Sequence, residues 1–198
     1  MRHQSGSARD RYVIVTDQGA IHAKDVVVAA GAWAGNLAAM LDADFPVEVD
    51  VNMLTVTEPA PLSIDRVVTH VAGVLSIKQH PNGTCLIGGG WQGRGSAETG
   101  MKELDYERLV HNMRVAAGVV PGLADLRIMR SWAGFDAVAP DALPVMGRLA
   151  GHDNAWVVAS ARGGYGLAPA LGAALAEMVL NDTETRGYET FSPRRFLQ

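Results

Sequence analysis

The chain has 198 residues, 48% of them apolar, a formal net charge of -4 and one cysteine. That length and apolar share suffice for one large domain or two small ones with a sizeable core, and they exclude a disordered chain. Mixed charge without a basic block argues against nucleic-acid binding. The lone Cys85 excludes an internal disulfide and points to a reducing, cytoplasmic setting.

The opening "MRHQSGSARD" is polar and carries no secretory signal. Tyr12 to Thr16 and Gly19 to Ala23 predict two short strands around an Asp17-Gln18-Gly19 turn. Val26 to Ala30 is a continuous apolar run, the pattern of a strand buried on both faces. Gly31 ends it, and Trp33 to Leu41 predicts a helix stopped by "DADFP". Together these make "VVVAAGAWAGNLAAML", which is too short and too interrupted by Gly and Asn for a membrane span.

Val47 to Glu58 alternates loosely and predicts a long strand. "GVLSIKQHPNGTCLIGGG" is a hairpin whose Asn82-Gly83 supplies positive φ. "LDYERLVHNMRVAAGVV" places Leu109, Met113, Ala116 and Val120 at helical spacing before Pro121-Gly122. "LRIMRSWAGFDAV" predicts a further strand, and Ala155 to Ser160 a buried one. A glycine turn, Gly163 to Gly166, then leads into a helix from about Leu167 to Leu180, with Pro169 in its first turn. Leu167, Leu171, Ala174, Leu175 and Met178 mark its apolar face, and Gly172 would permit a close neighbour. The two ends of the chain read as one α/β layer with an antiparallel sheet inserted between them.

"GGGWQG", Gly88 to Gly93, satisfies G-x-G-x-x-G formally, but no helical period follows it, so it reads as the flexible end of a hairpin strand. Its glycines would also let a planar ligand approach, with Trp91 as a wall. The turn at Gly163 to Gly166 has the strand–glycine–helix context of an oxyanion or polarised-carbonyl site. It reads equally as strand-to-helix packing. Trp33 and Trp132 are read as core, Arg130 as the partner of an acid, Arg162 as facing a ligand and His80 as solvated. No His, Cys, Asp or Glu set has metal spacing, and no nucleophile elbow is present.

"DVVVAAGAWAGNLAAML", "GTCLIGGGW", "RSWAGFDAVAPDALPVMG", "WVVASARGGYGLAPALGAALAEMVL" and "FSPRRF" follow one another in the order of the D-amino-acid-oxidase-like FAD flavoproteins. The resemblance covers nearly the whole chain. It is nearest to the flavin subunits of dye-linked opine, hydroxyproline and cyanide-forming glycine dehydrogenases, with glycine and sarcosine oxidases further off. It implies a mixed α+β fold: residues 1–45 and 141–198 form part of an FAD-binding α/β layer, and residues 46–140 form the substrate-binding antiparallel sheet. It implies cofactor contacts at Ala30, Gly31, Ala32, Trp33, Gly163, Gly164, Tyr165, Gly166 and Leu167. The late helix start would stabilise charge on the reduced flavin. Trp91, Arg162 and Tyr165 are the implied substrate contacts. The implied reaction passes hydride from an amino acid or related amine to the flavin, and water hydrolyses the imine. The catalytic residues are not identified.

Three departures shape the expectation. The family's opening G-x-G-x-x-G unit and its acidic ribose ligand have no counterpart before Arg11. The chain is therefore expected to be a C-terminal portion, inactive alone and either non-catalytic or one half of a split flavoenzyme with an N-terminal half or other dehydrogenase subunits as partners. Asp136 stands where oxidases of the family often carry an arginine for the substrate carboxylate. No cysteine lies near this segment, so FAD is expected to be non-covalent.

Overall fold

A computed structural model describes residues 2–4, 11–71, 73–159, 164–184 and 187–197. In chain order its strands and helices are β1 (Arg2–Gln4), β2 (Arg11–Thr16), β3 (Gly19–Ala23), β4 (Val26–Val28), α1 (Ala34–Ala39), β5 (Glu48–Thr57), β6 (Val68–Thr69), β7 (Ser76–Gln79), β8 (Cys85–Gly88), β9 (Arg94–Ser96) and β10 (Met101–Glu103). Then follow α2 (Tyr106–Val119), β11 (Ile128–Val138), β12 (Val145–Arg148), β13 (Ala155–Ala159) and α3 (Gly164–Asn181). The chain divides into two compact units, Met1–Val49 with Asp136–Gln198, and Asp50–Phe135.

The first unit holds two three-stranded sheets, ordered β1-β2-β3 and β12-β13-β4. In the second of these, β13 runs parallel to β4, with Ala155 opposite Val26 and Val157 opposite Val28, and antiparallel to β12. The buried-strand run at the start and the one at the end therefore share a layer, as the sequence implied. Tyr12, Val26, Val28, Leu41, Phe45, Val145 and Val157 form the core beneath them. The ring of His152 ties this core together. Its Nε2 lies 2.6 Å from the Leu41 carbonyl, which can only accept, so in the neutral ring Nδ1 accepts from the Tyr12 hydroxyl at 3.0 Å. A second core of Met146, Trp156, Leu171, Leu175 and Met178 seats α3 against β12 and β13. After α3, Arg195 clasps Asp141 at 2.7 Å, and this contact holds the Asp141 carboxyl below its usual range.

The second unit is built on a five-stranded sheet ordered β11-β5-β8-β7-β6. Period two decides its faces. Thr55, Ile87 and Ile77 lie in one cross-strand row, and all three are buried. Ile77, Cys85 and Ile87 pack with Ala116 of α2. The neighbouring row, Val56, Leu86 and Lys78, points the other way and is half-buried to exposed. Helix α2 begins where Asp105, in extended backbone, accepts the Arg108 N–H at 3.2 Å. That bond, helped by Arg94 at 3.0 Å, holds the Asp105 carboxyl below its ordinary value. The helix ends ahead of Pro121.

Several expectations need correction. Of Val26 to Ala30 only Val26–Val28 is strand, at a sheet edge and covered on one face only: Val27 is 45% exposed. Trp33 is not core but 46% exposed, and it closes a 3-10 turn, Gly31–Trp33, that precedes α1. The last helix starts at Gly164 rather than near Leu167, so Gly164 and Gly166 are helical and Pro169 is interior. Gly172 approaches nothing among the described residues, because a Cβ there would meet open space. Arg130 forms no ion pair among the described residues and instead lies 5.6 Å over the ring of Trp132. The hairpin turn takes its positive φ from Gly83 alone, and His80 beside it is half-buried. The polar opening, for which the sequence predicts no element, contributes β1.

Candidate functional site

The parallel register of β4 and β13 brings the C-terminal ends of both strands to one end of the sheet. Beyond β4 the chain turns at Gly31, whose φ of 52° suits glycine, and places Ala32 and Trp33 there. Beyond β13 it enters α3. Open α/β sheets bind ligands at the carboxyl ends of their parallel strands, where loops and helix starts converge. Ala30, Gly31, Ala32, Trp33, Gly164, Tyr165, Gly166 and Leu167 thus belong to one end of one sheet. Arg162 and Gly163 lie outside the described residues.

The start of α3 is unlike an ordinary helix start. Every residue from Tyr165 to Ala170 is exposed, although the segment reads Tyr-Gly-Leu-Ala-Pro-Ala. Tyr165 is fully exposed, and Leu167 is 43% exposed. Its packed face begins only at Leu171. No acidic residue in the first turn offsets the positive end of the helix dipole. A Cβ added at Gly31 or Gly166 would meet no atom of the described residues within 4 Å, so the space beside both backbones is open. Exposed apolar surface, open glycine backbone and a positive helix end suit a flat, partly apolar ring with an electron-accepting edge.

Trp91 lies elsewhere, in the second unit. Its indole N–H donates to the Val74 carbonyl, and its ring sits 4.8 Å from that of His111 on α2. The glycines before it serve the chain itself. Gly89, at φ 124°, would press a Cβ into the Leu75 backbone. A bridge from Asn52 to Gln92 continues the sheet where a dinucleotide fingerprint would require a helix. Asp136 is half-buried in β11. Cys85 is fully buried on the α2 side of the sheet, and burial pushes its thiol up against a smaller opposing pull from Thr57. Among the described residues no His, Cys, Asp or Glu group has the arrangement of a metal centre. No helix among them is long and apolar enough to cross a membrane.

The sequence reading did not resolve which residues share the face of the five-stranded sheet opposite α2, where Leu54, Val56, Leu86 and Lys78 stand. The alternation of β5, buried at Val51, Met53, Thr55 and Thr57 and half-buried between, is the signal that carries it.

An α+β chain whose parallel strand ends carry a glycine-rich, uncovered helix start has the frame of a flavin-dependent oxidoreductase. The family model for FAD dependent oxidoreductases matches residues 2–178, and the chain belongs to that family. It is 31% identical to the glycine oxidase of Pseudomonas aeruginosa over 86% of its own length and 46% of that protein's. It is 27% identical to sarcosine oxidase subunit beta of Rhizobium meliloti over 92% of its length and 43% of that protein's. Among solved structures, it superposes on L-proline dehydrogenase from P. horikoshii with a TM-score of 0.83 at 27% identity, covering 93% of this chain and 50% of that one. The chain thus spans about half the length of the relatives it matches.

Proposed function

We propose that this chain supplies the flavin-ring and substrate-facing portions of an FAD-dependent enzyme that oxidises the C–N bond of an amino acid or related amine. The observation that carries this reading is the exposed, glycine-containing start of α3 at the carboxyl ends of β4 and β13. The residues present fit the ring-bearing part of FAD, because Gly31 and Gly166 leave room beside their backbones and α3 directs its positive end there. When bound, FAD accepts the electron pair of the substrate C–H bond.

The residues of the chain do the rest. The backbone amides of the first α3 turn hold the electron-accepting edge of the ring, and the helix dipole favours negative charge there. Trp33, Tyr165 and Leu167, now exposed, exclude water from the ring. FAD is held without a covalent bond, since Cys85, the chain's one cysteine, is fully buried with its thiol pushed up. Retention is weak in the 198 residues alone. It becomes tight in the assembled family fold, whether one polypeptide or two carry that fold.

The test is the flavin absorbance retained after desalting, for this chain alone and for the chain completed by the remaining portion of a relative. The completed protein is expected to be yellow, and Gly166→Val in it colourless. Apart from its chain neighbours and its own helix backbone, no described residue would touch a Cβ there, so the lost colour reads the ligand and not the fold. Tight stoichiometric FAD on the chain alone would overturn the dependence on the rest of the fold. Full retention in Gly166→Val would overturn the role of α3.

A further inference from the structure

The second unit contains a cavity that this flavin reading does not use. It lies on the α2 side of the sheet, has a volume of about 340 Å³, and is walled by Ile87, Leu109, Met113, Leu126 and Ile128. This is the lower end of the size range of small-molecule sites, which are mostly apolar with a few placed polar groups. The one hydroxyl among its described wall residues is that of Thr57, whose Oγ1 donates to the Glu58 carbonyl and accepts from the Cys85 N–H. That hydroxyl is therefore already spent within the chain. Arg114 also lines the cavity, is exposed, and forms no ion pair among the described residues.

Helix α2 is patterned for more than its own burial. Leu109, Asn112 and Ala116 form the stripe that packs on the sheet. Val110, Met113 and Ala117 form a second stripe that faces the cavity, and Val110 is 46% exposed. Ile128, 47% exposed, completes an apolar mouth across from them. A helix needed only for packing would carry polar residues along such a stripe.

We propose that this cavity binds a small amphipathic monocarboxylate. The aliphatic tail fills the space between α2 and the start of β11, and the carboxylate pairs with the Arg114 guanidinium at the mouth. Arginine suits this role because its planar fork matches a carboxylate while its stem lies along apolar surface. The site is independent of FAD.

Octanoate is the probe, titrated into the full chain and followed by methyl NMR shifts of Met113, Ile87 and Ile128. Saturable one-to-one binding is expected, tightening about three- to fourfold per methylene from butyrate through hexanoate to octanoate. Arg114→Gln, a surface change that leaves the fold intact, should weaken octanoate about tenfold or more and leave 1-octanol unchanged. Ala117→Trp should fill the cavity and abolish both, with circular dichroism confirming the helix. Absence of saturation, equal octanoate affinity in Arg114→Gln, or shifts confined to other methyls would overturn the proposal. So would self-association that Ala117→Trp abolishes in a chain that ignores octanoate.

Discussion

Helices α2 and α3 solve the same problem in opposite ways. Each unit sets one long helix against its sheet. Helix α2 is sealed at its start by Asp105, and its buried stripe begins within the first turn at Leu109. Helix α3 opens with Gly-Tyr-Gly-Leu, leaves its first residues in solvent, and packs only from Leu171 onward. The start of α2 is spent on stability, whereas that of α3 is left available. A helix end with no acid in its first turn, left exposed among the described residues, is where a ligand finds donors.

The comparison breaks most visibly through packing. Ile77→Ala, under α2 at 0% exposure, is expected to lower unfolding free energy by about 2–5 kcal/mol. Leu167→Ala at the open start of α3 should change it by no more than about 0.5 kcal/mol. Denaturant titrations of both variants measure this, and equal losses would erase the contrast.

A smaller effect is expected at the cap. Asp105→Ala should lower the thermal midpoint at neutral pH, because the Arg108 N–H and the Arg94 guanidinium lose their acceptor. The folded carboxyl sits below its ordinary value, so its contribution is complete above the unfolded pKa of about 3.9 and is lost as pH falls through the lower folded value. Melting curves of the two proteins should therefore converge in acid. A constant gap at all pH values would mean that Asp105 acts through shape alone.

The smallest effect sharpens the other side. Gly172→Ala lies mid-helix in open space, so it should stabilise the chain by about 1 kcal/mol. Destabilisation would show that α3 needs that glycine for something within this chain.

Much of this contrast was legible in the residues. The alternation of β5, the Pro-Asn-Gly hairpin and the spacing of α2 follow directly from periodicity and turn chemistry. The start of α3 did not, since glycines mark both turns and helix ends, and only the backbone shows Gly164 and Gly166 to be helical. Trp33 and Val27 misled for a related reason. Apolar residues argue for burial only where a partner surface exists, and at this end of the sheet the described residues provide none. The motifs marked the two candidate segments, but their adjacency depends on a pairing between residues distant in sequence, which no local pattern encodes.

That pairing also bears on the order of folding. The strands of the β7–β8 hairpin meet across a tight turn, whereas β4 must wait for β13, with the whole second unit between them in the chain. Closing the longer loop costs roughly 2–3 kcal/mol more at about 0.6 kcal/mol per doubling of length. The second unit is one continuous segment, so it can form without waiting for the two ends of the chain to meet, both in refolding and as the chain emerges during synthesis. The first unit, whose β4 pairs only with the late β13, assembles last.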